Sequence, residues 1–506
     1  MSSSRRHFFF GSLLAGAVPQ AGFGSVPSLR ALGYKPFYDK LNVAAVGCGG
    51  QGGQILNQVA GTENIVALCD VDENRAAANF AKFTKQPKYK DFRVMLDKEG
   101  KNIDAVTIGI PDHMHATVAM NAMQRGKHVY VEKPLTRTPW EARLLADAAV
   151  KYNVATQMGN QGYSHESIRV AAEMLWSGEI GEVKEVHVSA SPGTHPTGLA
   201  KGPNEKGVPA GVDWDLWLGS ASMRSYAAEY TPYNWRGFFD FGTGQIGNWG
   251  IHTMGPVNLA LQLGAPTSVE LVSIEKKSDI TFPDRAVIRF DFPQRGGLPP
   301  VSIYWHDSAY PGEPEAYKVP GIDNEMVLPP SNNLGEKGRG AAAPRTGGGG
   351  QQRRANLPPG QRTGPGGAGV PVYGRGSFGL EKQPGVLAGN GAVFIGSKGI
   401  MATVERGEGV HLLPAERWKD YTLPPQLLSR SPGHMADWVR ACKGGEPSCS
   451  HFGISGPYTE WMVLGVIAFR VGGKLNWDSK NLRFTNSAEA NKYVKPMFRK
   501  GWELKL

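Results

Sequence analysis

The chain has 506 residues, 41% of them hydrophobic and 20% charged, a globular composition too long for one core, so two domains are expected. Its formal net charge of +10 is uneven, because seven basic residues and no acidic one fall in the Gly- and Pro-rich run 337–375, and Arg5 and Arg6 add two more. What remains is near neutral, which removes the basic patch that a nucleic-acid binder needs. The four cysteines, Cys48, Cys69, Cys442 and Cys449, match no zinc spacing, so no metal is expected.

The first element reads as an export signal. Arg5 and Arg6 precede an eleven-residue apolar run, 8–18, too short to cross a bilayer at roughly 20 residues but suited to a signal core. The pattern Ser-Arg-Arg-x-Phe-Phe resembles a twin-arginine signal, which exports folded proteins, and Ala15, Gly16, Ala17 and Ala21 supply small residues for cleavage. A leader over 1–35, the twin-arginine translocase as a transient partner and a periplasmic destination follow as expectations. No other segment reaches spanning length without charge, so the mature form is expected to have no membrane span.

Residues 42–46 form a short apolar run of the kind found in fully buried parallel strands. Gly47, Gly49 and Gly52 then make G-x-G-x-x-G before a helical stretch to Ala60. The first glycine permits a tight turn, the second lets backbone approach a pyrophosphate, and the third lets the helix pack on the strand. The phosphates would sit at the helix N-terminus. A second strand, 65–69, ends in Asp70, whose carboxylate suits ribose hydroxyls and repels a 2′-phosphate. No Arg directly follows Asp70, which favours NAD over NADP. Further strands at 105–108, 128–131 and 154–157 alternate with helical patterns at 114–125 and 139–152, predicting a doubly wound parallel sheet over 36–160. Ligands of such sheets lie beyond the strand ends, in the loops 109–115, 131–138 and 158–164.

The remaining chain, 161–506, reads as a second, α+β domain for substrate and subunit contacts. Segments 183–190, 268–274, 285–292, 301–307 and 391–404 mostly alternate apolar and polar residues, as in an open, mainly antiparallel sheet with one covered face. Helical stretches at 434–443 and 456–471 would pack on it. The insertion 311–385 contains the basic run 337–375, which cannot bury enough to offset its ordering entropy and is expected to be largely disordered. Cys442 and Cys449 could pair in an oxidising compartment, whereas a protein folded before export forms no disulfide inside the cell.

The order G-x-G-x-x-G, P-D-H-x-H-A, "GKHVYVEKPLTRT" and "GNQG" resembles the glucose–fructose oxidoreductase/inositol dehydrogenase (Gfo/Idh/MocA) family. The stretches "DWDLWLG" and "NWRGFFDFGTG" and the tail "ANKYVKPMFRKGWEL" look like a branch of it that carries twin-arginine signals. The resemblance implies an NAD-dependent oxidoreductase, and export away from the cytoplasmic NAD pool would demand a tightly held cofactor. The enzyme would act on a hydroxyl of a sugar or sugar derivative, as a homo-oligomer joined through the open sheet face. It places Lys133 of Glu-Lys-Pro where nicotinamide meets substrate, to stabilise charge on the reacting oxygen. Gln51, Pro111, His115 and Glu132 come to the cofactor side, although His115 could equally cap or pack a helix.

The resemblance also gives His252 the place of a general base, with Asn248 standing where the family has Asp. Helical spacing would put both on one face. An amide can orient an imidazole but cannot stabilise its cation, so His252 is expected to titrate near the ordinary value of about 6.5. Tyr163, Trp235, Arg236 and Trp305 are candidate sugar contacts, rings for C–H faces and Arg for hydroxyls or carboxylates. Two other readings stay open. "GNWGIHTMGP" is similar to a stretch of the NAD-dependent glycosidases of this family, which run a redox-neutral cycle but lack the Glu-Lys-Pro lysine; and Asn248 would also suit a non-catalytic sugar-binding protein.

Overall fold

Residues 39–308, 316–328, Leu334, Lys337 and 383–506 are described by a computed structural model; the leader and, within the insertion, 311–315, 329–333, 335–336 and 338–382, which hold the basic run beyond Lys337, lie outside the described residues. The first part of the chain alternates strand and helix. Its elements are β1 (Asn42–Val46), α1 (Gly50–Val59), β2 (Asn64–Cys69), α2 (Glu73–Lys82), β3 (Lys88–Tyr89), α3 (Phe92–Glu99), β4 (Ala105–Ile108), α4 (Asp112–Gln124), β5 (His128–Glu132), α5 (Pro139–Lys151) and β6 (Thr156–Gly159). The six strands form one parallel sheet in the order β3-β2-β1-β4-β5-β6. Val43, Ala45 and Ala105 face one apolar cluster and Ala44, Val46 and Val106 another, so helices cover both faces of the sheet.

Local chemistry sets several boundaries. The Asp72 side chain accepts the N–H groups of Asn74 and Arg75 and starts α2. At α5, Thr138 and Glu141 form a reciprocal capping box with Pro139 at the first helical position. β6 begins two residues later than expected, because the Val154 N–H is still engaged by the Ala149 carbonyl at the end of α5. The helices α2 and α3 are additions to the expected pattern. Only Ala76 of α2 is buried, so its apolar stripe is too thin to show as periodicity.

The second part begins with α6 (Glu166–Trp176) and β7 (Val183–Ser189), followed by β8 (Ser268–Glu275), β9 (Arg285–Phe292) and β10 (Val301–Asp307). Then come β11 (Gly391–Gly396), β12 (Gly399–Val404), β13 (Gly409–Leu413), α7 (His434–Cys442), α8 (Phe452–Val471), β14 (Lys474–Asp478) and β15 (Arg483–Phe484). Nine strands pair in the order β13-β12-β11-β7-β10-β9-β8-β14-β15, antiparallel throughout except β7 with β10. The segment expected as one strand, 391–404, is a hairpin, with Gly396 paired to Gly399 across a two-residue turn.

α8 joins the two sheets. Gly456 lets it close on Ala142 and Ala146 of α5, while Gly465 meets Ile246 and Phe290 on the other side. Arg143 of α5 donates two hydrogen bonds of 2.7 Å to the Glu460 carboxylate of α8. Trp461 stands edge-on to Phe290 of β9, ring centres 5.2 Å apart. One apolar core therefore runs from the first sheet through α8 to the second. Cys442 and Cys449 are both free thiols. Among the described residues no helix is long and apolar enough to cross a membrane, and no cluster of His, Cys, Asp or Glu could hold a metal.

Candidate active site

The nucleotide end is shaped by main-chain contact. The chain leaves β1 at Gly47 with φ +89°, in the left-handed region that favours glycine, and its N–H bonds the Cys69 carbonyl at 2.9 Å. A Cβ on Gly52 would lie 2.7 Å from the Gly109 carbonyl oxygen, and one on Gly109 would lie 2.5 Å from the Gly52 Cα. The start of α1 therefore rests directly on the end of β4. α1 has no side-chain cap and no acidic residue in its first turn, where Gln51 is exposed, so its amides are open to an anion. Asp70, at the end of β2, accepts the Cys48 N–H at 2.7 Å and the Asp72 N–H at 3.0 Å. Burial raises its pKa against the pull of those two bonds.

This cradle fits a dinucleotide: a glycine turn that Cβ atoms would fill, a bare helix N-terminus, and a fixed carboxylate one strand away. Arg75 belongs to it as well, because a Cβ on Gly50 would lie 2.7 Å from its guanidinium nitrogen. Sequence reasoning looked only beside Asp70 and so passed over this Arg in the first turn of α2. Seeing α2 would have been the signal.

Along the same carboxyl edge of the sheet, Lys133, just after β5, donates to both the main-chain and side-chain oxygens of Asn248 at 2.8 Å. The Asn248 amide donates in turn to the Tyr233 hydroxyl at 3.3 Å and the Gln245 oxygen at 3.2 Å. Burial, with help from the cations Arg236 and Arg406, brings the Lys133 pKa down to about 7, although Glu132 and Asp112 oppose it. Glu132 is buried and accepts Gln161 at 2.9 Å and the Tyr130 hydroxyl at 3.4 Å, and burial raises its pKa.

Lys133 and Asn248 thus meet; Asn248 and His252 are not hydrogen-bonded to each other. Asn248 lies in a π-helical turn, Ile246–Gly250, which abandons the α-helical spacing before the short helix Ile251–Thr253. His252 is 4% exposed, stands edge-on to Trp249, and has no partner for Nδ1 among the described residues. Its pKa is well below 6.5, chiefly from burial and then from Lys133, Arg406 and His434. The expectation of an ordinary imidazole is therefore corrected, since it considered the missing Asp and left out desolvation and the neighbouring cations.

His115 is buried with Nδ1 2.8 Å from the Pro134 carbonyl and Nε2 2.9 Å from the Ile110 carbonyl, so it ties the loop after β4 to the loop after β5. Pro111 occupies the N-cap of α4. Three aromatic candidates are corrected. Trp305 has no exposed surface and donates to Asp307; Tyr163 is buried with its hydroxyl accepting from Asn258; Trp235 is buried in a cluster with Trp214, Tyr230 and Phe241. As placed, none can lay a ring on a sugar. Arg236 remains partly exposed, its guanidinium 4.2 Å from the ring centres of both Tyr233 and Trp235. Tyr233, Gln245, Trp249, His195 and Arg406 complete the surroundings and were not singled out from sequence. Tyr233 and Gln245 flank quoted motifs, but Arg406, in the turn after β12, carries no sequence signal.

Residues 41–160 match the Gfo/Idh/MocA oxidoreductase family, NAD-binding Rossmann fold, and residues 173–290 match its C-terminal alpha/beta domain. The first sheet and its helices are accordingly an NAD-binding Rossmann domain. Inositol 2-dehydrogenase from Salmonella typhimurium is 30% identical over 136 residues, 26% of this chain and 40% of that protein. A glycosyl hydrolase family 109 protein from Shewanella pealeana is 29% identical over 211 residues, 36% of this chain and 45% of that protein. The chain spans less than half the length of these curated relatives. Among solved structures, the WlbA dehydrogenase from Chromobacterium violaceum, in complex with NADH and UDP-GlcNAcA, superposes with a TM-score of 0.52 at 14% identity, over 88% of this chain and 98% of that one. A Thermotoga maritima oxidoreductase gives 0.50 at 15%, over 88% and 100%. These likenesses show the fold.

Proposed function

We propose that the chain, whose residues 41–160 and 173–290 match the two domains of the Gfo/Idh/MocA family, is a member of it and an NAD-dependent oxidoreductase acting on a hydroxyl of a sugar or sugar derivative, with a tightly held cofactor. The observation that carries the reading is the 2.8 Å contact of Lys133, from the first sheet, with Asn248, from the second half of the chain, beside the nucleotide cradle. NAD, when bound, supplies the hydride acceptor. Lys133 spends two N–H groups on Asn248 and keeps a third for a substrate oxygen. With a pKa of about 7 it can hold or release a proton at that oxygen near neutral pH. His252, neutral and with Nδ1 free among the described residues, accepts a hydrogen bond from the same hydroxyl and orients it. His115 keeps the two loops in register for both.

The reading extends to location and assembly. The Arg5-Arg6 leader would carry the folded protein through the twin-arginine route with its cofactor inside, to the periplasm. An exported enzyme cannot draw on the cytoplasmic pool, so its cycle must regenerate the cofactor in place. The open face of the second sheet is the surface for a homo-oligomer. A second reading, a redox-neutral NAD-dependent glycosidase or lyase, is supported by the glycosyl hydrolase family 109 relatives. Retention of Lys133 favours the first.

The test is the absorbance at about 340 nm of the purified protein before and after hexoses and glycosides are added. A lasting rise with a free sugar supports the oxidoreductase. Release of the aglycone from a glycoside without a lasting rise supports the redox-neutral cycle. Bound NAD with neither response would mean a binding protein.

A further inference from the structure

This site carries positive charge that no ion pair among the described residues neutralises. Elsewhere guanidinium groups are paired: Arg143, Arg285, Arg430 and Arg440 each hold a carboxylate at 2.5 to 2.8 Å. Arg236 holds none among the described residues. Among the described residues it donates one long hydrogen bond, 3.5 Å, to the Tyr233 carbonyl of its own turn. Two rings at 4.2 Å fix its plane and leave its fork of N–H groups unspent. Arg406 is exposed, lies 5.5 Å from the Trp249 ring centre, and also has no carboxylate partner among the described residues. Lys133 bonds only the neutral oxygens of Asn248.

The nearby acids, Asp112 and Glu132, act on these cations only from a distance. Both are buried, neither forms an ion pair with Arg236, Arg406 or Lys133 among the described residues, and Asp112 Oδ2 and Glu132 Oε1 are already bonded to Thr243 and to Gln161 and Tyr130. A second, independent feature points the same way. His195 is 1% exposed and its Nδ1 has no partner among the described residues. It adjoins Gln245, since a Cβ on Gly193 would lie 2.5 Å from that nitrogen and 3.0 Å from the Gln245 oxygen. Gln245 bonds Asn248, Asn248 bonds Lys133 and Tyr233, and Tyr233 carries Arg236 on its ring, so one contiguous polar cluster holds the orphan imidazole and the unspent guanidinium.

We infer that the substrate carries an anionic group, a carboxylate or a phosphate, held by the Arg236 guanidinium with Arg406 at the rim. The inference rests on the oxidoreductase reading for the position of the substrate. A neutral sugar would leave the Arg236 guanidinium without an ionic partner while it and Arg406 both act on Lys133, whereas a planar oxyanion matches the guanidinium fork with two parallel hydrogen bonds. An anion there would also favour the charged form of Lys133, coupling substrate binding to the protonation of the group that touches the reacting hydroxyl.

The experiment is calorimetric titration of the NAD-loaded protein with D-glucose, D-glucuronate and D-glucose 6-phosphate at matched ionic strength, with the absorbance at about 340 nm followed in parallel. One acid is expected to bind about ten- to a hundredfold more tightly than glucose, and which acid does so identifies carboxylate or phosphate. Arg236→Gln should abolish the preference and Arg236→Lys should keep part of it. Should Arg236→Gln not fold, Arg406→Gln should still reduce the preference. Glucose binding as tightly as both acids, neither acid binding, or a preference unchanged in the Arg variants would overturn the inference. Preferential binding of an acid that never changes the absorbance would uphold this inference and sink the oxidoreductase reading; reduction by neutral sugars alone would do the reverse.

Discussion

At the nucleotide end, Gly47, Gly52 and Gly109 bring main chain against main chain, with the Ile110 side chain packed beside Gly47. At the substrate end, Lys133, Asn248, Tyr233 and Gln245 hold one another through side-chain bonds of 2.8 to 3.3 Å on a turn that is not α-helical. A contact between backbones has no room for an added methyl. A network of amides and hydroxyls can exchange members at the cost of a hydrogen bond or a shifted pKa. The first region should therefore fail abruptly when altered, and the second should change its chemistry by degrees.

The sharpest way to break this contrast is Gly52→Ala. Its Cβ would press on the carbonyl oxygens of Gly47 and Gly109, neither of which can move without the strands. A loss of about 3 kcal/mol is expected, with NAD absent from the purified protein, read by thermal melting and cofactor content. A variant that melts with the parent and keeps NAD would mean that the turn is looser than its contacts imply.

Asp70→Ala should cost less and show a different signature. It leaves the Cys48 and Asp72 N–H groups without their acceptor, removes the bonds proposed to ribose, and leaves Arg75 beside Gly50 with one neighbouring carboxylate fewer. NAD affinity should fall about tenfold while NADP gains relative to NAD, measured by titration of apoprotein with each. Unchanged discrimination would take Asp70 out of the cofactor site.

At the substrate end the changes are graded. His252→Ala should slow turnover about tenfold through loss of one hydrogen bond. It should remove no limb of the pH–rate profile between pH 6 and 8, because the folded pKa lies well below 6.5 and the imidazole stays neutral across that window. An acidic limb near 6.5 that vanishes in the variant would show an ordinary, titrating base. Asn248→Asp should have the mildest effect on rate and a clear one on pH dependence. The Lys133 cation is lost as pH rises through about 7; a carboxylate 2.8 Å from Nζ favours the charged form and should move the alkaline limb up by about one unit. A limb that does not move would assign it to another group.

The same contrast governs what is legible in the sequence. β1 and β4 stand at 42–46 and 105–108 as expected, because strands buried on both faces are continuous apolar runs and the glycines follow in strand–turn–helix order. Lys133 is singled out because Glu-Lys-Pro resembles the family's motif, and the structure brings its side chain to Asn248. The surroundings of Asn248 are not legible, since nothing in "GQIGNWGIH" announces a π-helical turn that hands the residue to Lys133 instead of His252. Trp305, Tyr163 and Trp235 look like sugar platforms by residue type, yet type cannot separate a core ring from a site ring; burial does. Arg406 reaches the site only because β12 and β13 bring their turn across Trp249.

The most direct measurement is one turnover of the purified holoprotein with its best sugar substrate, followed at about 340 nm, for the parent and for Lys133→Met, with bound NAD quantified in each sample. The account predicts equal NAD content in the two and hydride transfer slowed by about 10²- to 10³-fold in the variant, because the one side chain that links Asn248 to the substrate oxygen is gone. Reduction at the parent rate by Lys133→Met with NAD bound would contradict it.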